Sequence, residues 1–564
     1  MPSALQSLVR VALALALASP VGARTVLDLQ PTVQAQRAKL GKSGLVRLVR
    51  PNPRLEDWYL LEVRWPGAKT GEWFHLENSD PKALRVRLLD GGSPELALDR
   101  PGKKRVKCAP WGKARAPSPL GKGRRARKPF VPLCGGELFL RNQTFGDRTT
   151  VEWAVDFLRK RAPLGEDLIN LVKDTVYKDA SMISTKLGRQ LAAKAKAKAL
   201  ALGKGPVEAA VGKALRDTYV RPKELGIRLA GGVDRLTVGK WYRSALSPHA
   251  YVSAYLPEAV PETILRTDRD RASGLDRVER RALVYLIAFD LGAHDVGYAL
   301  GTENPELAYS ERTAPRLRRK GWLGPDGVRS AFPFASTGLV NPKEAERIAA
   351  VFTGGFKRKH SVFRTGALAQ RNGGTHYGFL QRGVVFSSLW PGLATATVDA
   401  SGRFSLGTWS EADTARTAEL RFARQNGLPL VEWDAAAKRP VVGELVAQNF
   451  AGNWSGDKLN QIRTLRSGMC WQQSEDGREH LVYAYFSSHT PSAMARVFQA
   501  YGCRYAMHLD MNMVRHVYMA LHGRRRSEYL VKEMASRDVF LKNDRLPRFV
   551  GAPDNRDFFY LTYK

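Results

Sequence analysis

Apolar and polar residues alternate through much of the first quarter of the chain. Leu60-Leu-Glu-Val-Arg-Trp65 and Leu84-Arg-Val-Arg-Leu-Leu89 carry apolar side chains at nearly every second position, and clusters of Gly, Pro, Asn and Asp break the runs. A period of two marks a strand with one buried face, so residues 42–150 are predicted to form a β-rich domain. After residue 150 the period changes. Glu166 to Val176 has apolar residues at helical spacing, and Leu191 to Leu202 is rich in Ala, Leu and Lys, which predicts a helical connector over 151–225. Lys194, Lys196 and Lys198 recur every second residue, wrapping charge around that helix as on a solvated element rather than a membrane-lying one. From about 226 to 564 short apolar strands such as Ala250 to Leu256 alternate with predicted helices, Arg277 to Asp290 and Pro342 to Val351 among them. The expected fold class is α+β.

Hydrophobic residues make up 44% of the 564 and charged residues 25%, which excludes a mainly disordered or fibrous chain. Charge changes the picture more. Eighty-nine Lys and Arg against 54 Asp and Glu give a net +35, and a field of that sign favours polyanionic partners. The densest run, Lys103 to Lys128, holds 11 cations and no acid; it reads either as a solvated loop or as a docking arm for a polyanion. At the N-terminus Arg10 precedes the apolar run Val11 to Ala18, followed by small residues at Val21 and Ala23. That is the layout of a secretory signal over 1–23, and it is far shorter than the roughly 20 apolar residues of a bilayer span. An exported protein, periplasmic or extracellular, is expected, with no nucleic acid among its partners. No nucleic-acid-binding module is recognisable either.

The cysteines fit that compartment. Cys108, Cys134, Cys470 and Cys503 are even in number, which in an oxidising space favours disulfides, with three possible pairings. Cys108–Cys134 and Cys470–Cys503 are expected because each pair lies within one predicted domain. No CxxC or HxxxH spacing occurs, so neither a metal nor a cofactor is expected.

Three segments could carry chemistry. Phe352-Thr-Gly-Gly-Phe356 runs into Lys357-Arg-Lys-His360; paired glycines let backbone amides approach an anion, and the cations would add charge-assisted bonds. Arg466 enters the strand-like run Arg463 to Trp471 ahead of Ser467-Gly468, and an Arg in an apolar strand needs an anionic partner, structural or bound. Asp510 and Asn512 end the buried run His508-Leu-Asp-Met-Asn512, at the carboxyl edge of a strand where ligands commonly sit.

In order and surroundings these segments resemble the phosphodiester glycosidase family, whose best-known members remove N-acetylglucosamine from a phosphodiester. The resemblance covers roughly 240–564. Thr353-Gly-Gly-Phe356 is similar to the family's Asn-Gly-Gly-Phe-Phe turn. Leu465-Arg-Ser-Gly468 with Glu475-Asp-Gly-Arg478 is similar to its Ala-Arg-Thr-Ala strand and Asp-Gly hairpin. A strand at Leu481 to Phe486, a Thr-led helix at Thr490 to Tyr501 and the loop Leu509-Asp-Met-Asn512 follow in the family's order. Two departures stand out: the family's Asn is Thr353, and its Gly-Gly-Gly-Ser after the Asp is Met511-Asn-Met-Val514, whose larger side chains would fill space near the backbone.

The resemblance implies a C-terminal mixed sheet with helices and hydrolysis of a sugar phosphodiester, or a related glycosidic bond, in an anionic envelope polymer. The competing expectation is a silent protein that binds an anionic glycan through the same cleft and a basic face, with peripheral contact to an anionic envelope surface. The chemistry passes through an oxocarbenium-like state. Asp510 is the expected carboxylate and His489 a group acting on water, while Gly354, Gly355, Arg466, Asn512 and His376 are expected to hold substrate. A structure in which Asp510 and Arg466 lie far apart, or are sealed from solvent, would sink the catalytic assignment.

Overall fold

The computed structural model describes residues 24–146 except 114 and 116, 191–192, 205–448 except 361, 364 and 376, and 463–564 except 538, 542 and 543. It is β-rich, with several sheets and short helices, so the α+β class holds in its broad form.

The alternating N-terminal segment forms a six-stranded antiparallel sheet. Its order is Gln34–Leu40, Gly44–Arg50, Trp58–Arg64, Glu72–Asn78, Leu138–Arg141, Phe130–Leu133. This sheet therefore begins at Gln34, ahead of the predicted 42. One face buries Val46, Leu48, Tyr59, Leu61 and Trp65 in a core shared with the small sheet of Arg85–Leu89, Glu95–Asp99 and Val106–Cys108. The opposite face contributes Val49, Trp58 and Leu60 to the main core. The alternating pattern thus buries both faces, one against each core.

The main body is built chiefly on three larger sheets. The largest runs Tyr242–Arg243, Ala250–Tyr255, Val284–Asp290, Glu479–His489, Thr464–Gln473, Tyr505–Met511, Pro429–Asp434, Arg439–Val442. All its neighbouring pairs are antiparallel, where a mixed sheet was expected. Glu479–His489 and Tyr505–Met511 flank Thr464–Gln473 and are parallel to each other, so a crossover must join them. The helix Pro491–Ala500 is that crossover. It starts with the Thr490 side chain accepting from the Ala493 amide, has Pro at its first position and is buried along its whole length. A second sheet has the order His294–Ala299, Phe558–Tyr563, Ile348–Thr353, Met519–His522, Ser527–Tyr529, and a third Val384–Ser387, Phe379–Gln381, Leu420–Gln425, Ala394–Asp399, Phe404–Thr408.

Several expectations are corrected. Arg277 to Asp290 is a short 3-10 turn, Glu279–Arg281, followed by the strand Val284–Asp290. A fully buried apolar run gives no period to separate strand from helix, and its Val, Tyr, Ile and Phe favour the strand. In Pro342 to Val351 the helix is a single turn, Pro342–Ala345, capped by the Asn341 side chain, and Ile348–Thr353 is extended. The predicted connector falls mostly outside the described residues, Glu166 to Val176 included. Of its described part, Leu191–Ala192 pairs as a strand with Tyr219–Val220, and 205–225 holds no α-helix. Residues from 205 dock on the main body: the Ala210 amide donates to Ala500 O at 2.7 Å and Trp241 Nε1 donates to Val207 O at 2.7 Å.

Both disulfides form as expected, Cys108–Cys134 and Cys470–Cys503, with Cα separations of 5.7 and 5.8 Å. Cys470 and Cys503 are wholly buried in the main core. Replacing both by Ser is expected to lower unfolding free energy by about 3 to 4 kcal/mol in the chain-entropy account of a 33-residue loop. Urea titration checks this, and an unchanged midpoint would show that the bond adds nothing.

Candidate functional site

Strand ends from all three sheets of the main body meet at one place. Tyr505–Met511 brings Asp510 from the largest sheet. Ile348–Thr353 runs into Gly354–Gly355, and Asp557 immediately precedes Phe558–Tyr563 in the second. Leu420–Gln425 brings Arg424, with Asn426 just beyond it, from the third. Asn426 ties the pieces together: its Oδ1 accepts from the Phe356 amide at 2.9 Å, and its Nδ2 donates to His508 O at 2.7 Å.

Asp510 is 4% exposed. Its amide donates to Gly354 O at 3.0 Å, and its Oδ1 accepts from the Met511 amide at 2.8 Å. Its ion-pair partner is Arg556, through Oδ2. Burial lifts the Asp510 carboxyl to about 6, against the pull of Arg556 and Lys357. Burial disfavours the charged form, and the nearby cations recover only part of that cost. Beside it Asp557 Oδ2 accepts from Tyr298 Oη at 2.9 Å and from Arg424 Nε at 2.6 Å. Lys357, also enclosed, pairs with Glu303 at 2.8 Å. The chain returns to the surface two residues after Asp510: Asn512 is exposed, in the left-handed region at φ 79°, with its amide donating to Leu465 O at 2.7 Å.

Gly354 meets Asp510 through its carbonyl and Gly355 packs on Asn426 and Arg424, but their smallness serves the protein itself. A Cβ on Gly354 would stand 2.6 Å from Asp557 Oδ2, and one on Gly355 2.6 Å from Asn426 Oδ1. The Gly354 amide, expected to hold an anion, donates to Asp557 O at 2.8 Å. Thr353, at the family's Asn position, donates its hydroxyl to His516 O at 2.6 Å.

Arg466 does not pair with Asp510. It has no exposed surface, donates from Nε to His489 O at 2.9 Å, and meets His508 Nε2 at 3.0 Å and Met511 Sδ at 3.2 Å. Burial brings its guanidinium down to about 9. The cation beside the carboxylate is Arg556, and Met511 occupies space against Arg466 where the family has glycine. His489 is likewise committed to backbone: Nδ1 accepts from the Ser488 amide at 3.1 Å and Nε2 lies 3.1 Å from Ala282 O. Burial holds it near 3, neutral at physiological pH. Enclosure and these bonds count against Arg466 as a phosphate holder and His489 as a base, and the same enclosure counts against Asp510 as the catalytic carboxylate. His376 lies outside the described residues.

Sequence reading passed over Arg556, Asp557, Arg424, Asn426 and Glu303. One signal was present: Asp554-Asn-Arg-Asp557 stands directly before the apolar run Phe558-Phe-Tyr-Leu, and charges crowded at the mouth of a buried strand need partners. Among the described residues no group of three or more His, Cys, Asp or Glu is placed to hold a metal ion. Nor is any helix there long and apolar enough to cross a membrane.

No protein-family model and no curated protein matches the sequence. Two solved structures are similar over part or most of their length. One, described as a candidate exported protein of Burkholderia pseudomallei K96243, is 13% identical with a TM-score of 0.20, covering 52% of this chain and 76% of its own. A hypothetical protein from Synechocystis is 10% identical with a TM-score of 0.19, covering 90% of this chain and 97% of its own. Likeness at that level carries no argument about fold or activity.

Proposed function

We propose that the protein is an exported hydrolase of the phosphodiester glycosidase type, acting on a sugar phosphodiester or a related glycosidic bond of an anionic envelope polymer. The observation that carries the reading is the Asp510–Arg556 pair, set where three sheets converge, with a carboxyl that burial lifts to about 6. Perturbed carboxyls with a defined charge partner at a strand's carboxyl end are the usual raw material of an active site. In this reading ionised Asp510 stabilises positive charge at the anomeric carbon, and Arg556 orients it. A phosphate leaving group is a weak base and needs no strong acid. Lys357 and Arg556, whose charges reach Asp510, take the electrostatic role first expected of Arg466. Two formed disulfides support export.

The second reading, a silent protein that binds an anionic glycan, is favoured by the enclosure of Asp510 and by the internal bonds of Arg466 and His489. A screen of purified protein against sugar-1-phosphodiesters and teichoic-acid-like polymers, scoring release and binding together, separates the two. Release is expected; binding without release would transfer the assignment to the second reading.

A further inference from the structure

The charge run from Lys103 to Lys128 is a stapled, folded face. The Cys108–Cys134 disulfide closes the loop that carries seven of its 11 cations. Beneath it Trp111 and Leu120 are buried in the N-terminal core, and Trp65 Nε1 donates to Trp111 O at 3.1 Å. The Ser118 hydroxyl accepts from the Gly121 amide at 3.1 Å at the start of the short helix Pro119–Arg125. All 11 cations of the run are exposed. Four of them pair with acids: Arg105 with Asp99, Lys107 with Glu95, and Arg115 and Arg124 with Glu72. Lys103, Lys104, Lys113, Lys122, Arg125, Arg127 and Lys128 have no acidic partner among the described residues, although the fold elsewhere neutralises its cations in many pairs.

We infer that this stapled face is a docking surface for a linear anionic glycan. Seven unneutralised charges on a pre-ordered base attract a polyanion without the ordering cost of a disordered basic tail. Five of the seven are Lys, point charges that suit a flexible chain rather than a fixed bidentate contact. Two other polyanions fit less well. A lipid surface calls for apolar groups that enter it, yet Val106 is the run's single large hydrophobic residue among those prominently exposed. Single-stranded nucleic acid calls for stacking aromatics, and the run's one aromatic short of Phe130, Trp111, is turned inward at 1% exposure. The inference rests on the reading of the protein as exported, and it is independent of catalysis at Asp510.

Fluorescence anisotropy with labelled heparin as the probe, at several salt concentrations, tests it on the full chain. Wild type should bind, weakening on the order of tenfold or more between 50 and 200 mM salt as counterions are released. Joint replacement Lys122→Gln, Arg125→Gln, Arg127→Gln and Lys128→Gln should weaken binding by roughly tenfold or more and flatten the salt slope. A variant with the same charge loss on exposed residues elsewhere, Lys213→Gln, Arg216→Gln, Arg243→Gln and Lys438→Gln, should bind as wild type does. Asp510→Asn should also bind normally, so loss of turnover there leaves this inference standing. Equal weakening in the two four-site variants would overturn it. So would tighter binding to phosphatidylglycerol vesicles or to single-stranded DNA than to heparin under the same salt.

Discussion

Asp510→Asn is expected to lose about 100- to 10,000-fold in turnover per folded molecule, the range by which a positioned catalytic group typically contributes. The substitution keeps the size of the side chain and an oxygen for the Met511 amide. What it removes is the negative charge, and with it both the stabilisation of an oxocarbenium-like state and the partner of Arg556. A buried guanidinium deprived of its carboxylate costs about 3 to 5 kcal/mol, so activity must be normalised to the folded fraction by circular dichroism. Arg466→Lys should behave in the opposite way. Arg466 spans from His489 O to His508 inside the sheet, and Lys cannot reproduce that fork. Its melting temperature should fall, with activity per folded molecule intact. If both variants instead kept full specific activity, the Asp510 cluster would be a structural ion network and the assignment would fail.

Acid should destabilise the protein well above the usual carboxylate range. Burial holds His480 and His522 near 4 and His489 near 3, and it lowers His75 and His294 as well. Each must stay neutral to remain folded, whereas the same imidazole in the unfolded chain takes up a proton near 6.5. Stability is therefore present above 6.5 and is lost as pH falls toward the depressed folded values. A group displaced from 6.5 to 4 accounts for about 3 kcal/mol over that interval. Asp510 runs the other way, because a raised carboxyl contributes stability at low pH that is lost as pH rises through 6. Asp57 and Glu279, also raised by burial, lean with it. Five imidazoles outweigh three carboxyls, and Asp268 and Asp554, lowered by Arg439 and Arg548, withdraw further stability below about 4. Urea midpoints should drop between pH 7.5 and 4.5, and a midpoint that held or rose would contradict neutral buried imidazoles. His480→Gln should reduce the drop.

How far the sequence could be read depended on what each residue had to answer to locally. The alternation in Leu60 to Trp65 and the Thr-Pro start at Thr490 report on immediate neighbours, and the strand Trp58–Arg64 and the helix Pro491–Ala500 followed. Val284 to Asp290 is apolar throughout because both its faces are buried, so pattern alone did not separate strand from helix. The candidate site was half legible. Gly354, Gly355 and Asp510 do converge, although more than 150 residues part them. The identity of Asp510's partner was not legible, because Arg556 reaches it from the bend before the strand Phe558–Tyr563, in another part of the chain, and no local pattern marks that pairing. Arg466 drew attention as a charge in an apolar strand. Its need for partners was real, and His489 O and His508 meet part of it inside the protein.

The pH dependence of product release tests the central claim most directly. On whichever sugar-1-phosphodiester the protein cleaves best, kcat/KM measured from pH 4.5 to 8 should climb through a single ionisation near 6, the carboxyl of Asp510 as burial leaves it. That limb should vanish in Asp510→Asn. Release that climbs near 4, or that persists unchanged without the Asp510 carboxylate, would contradict the account.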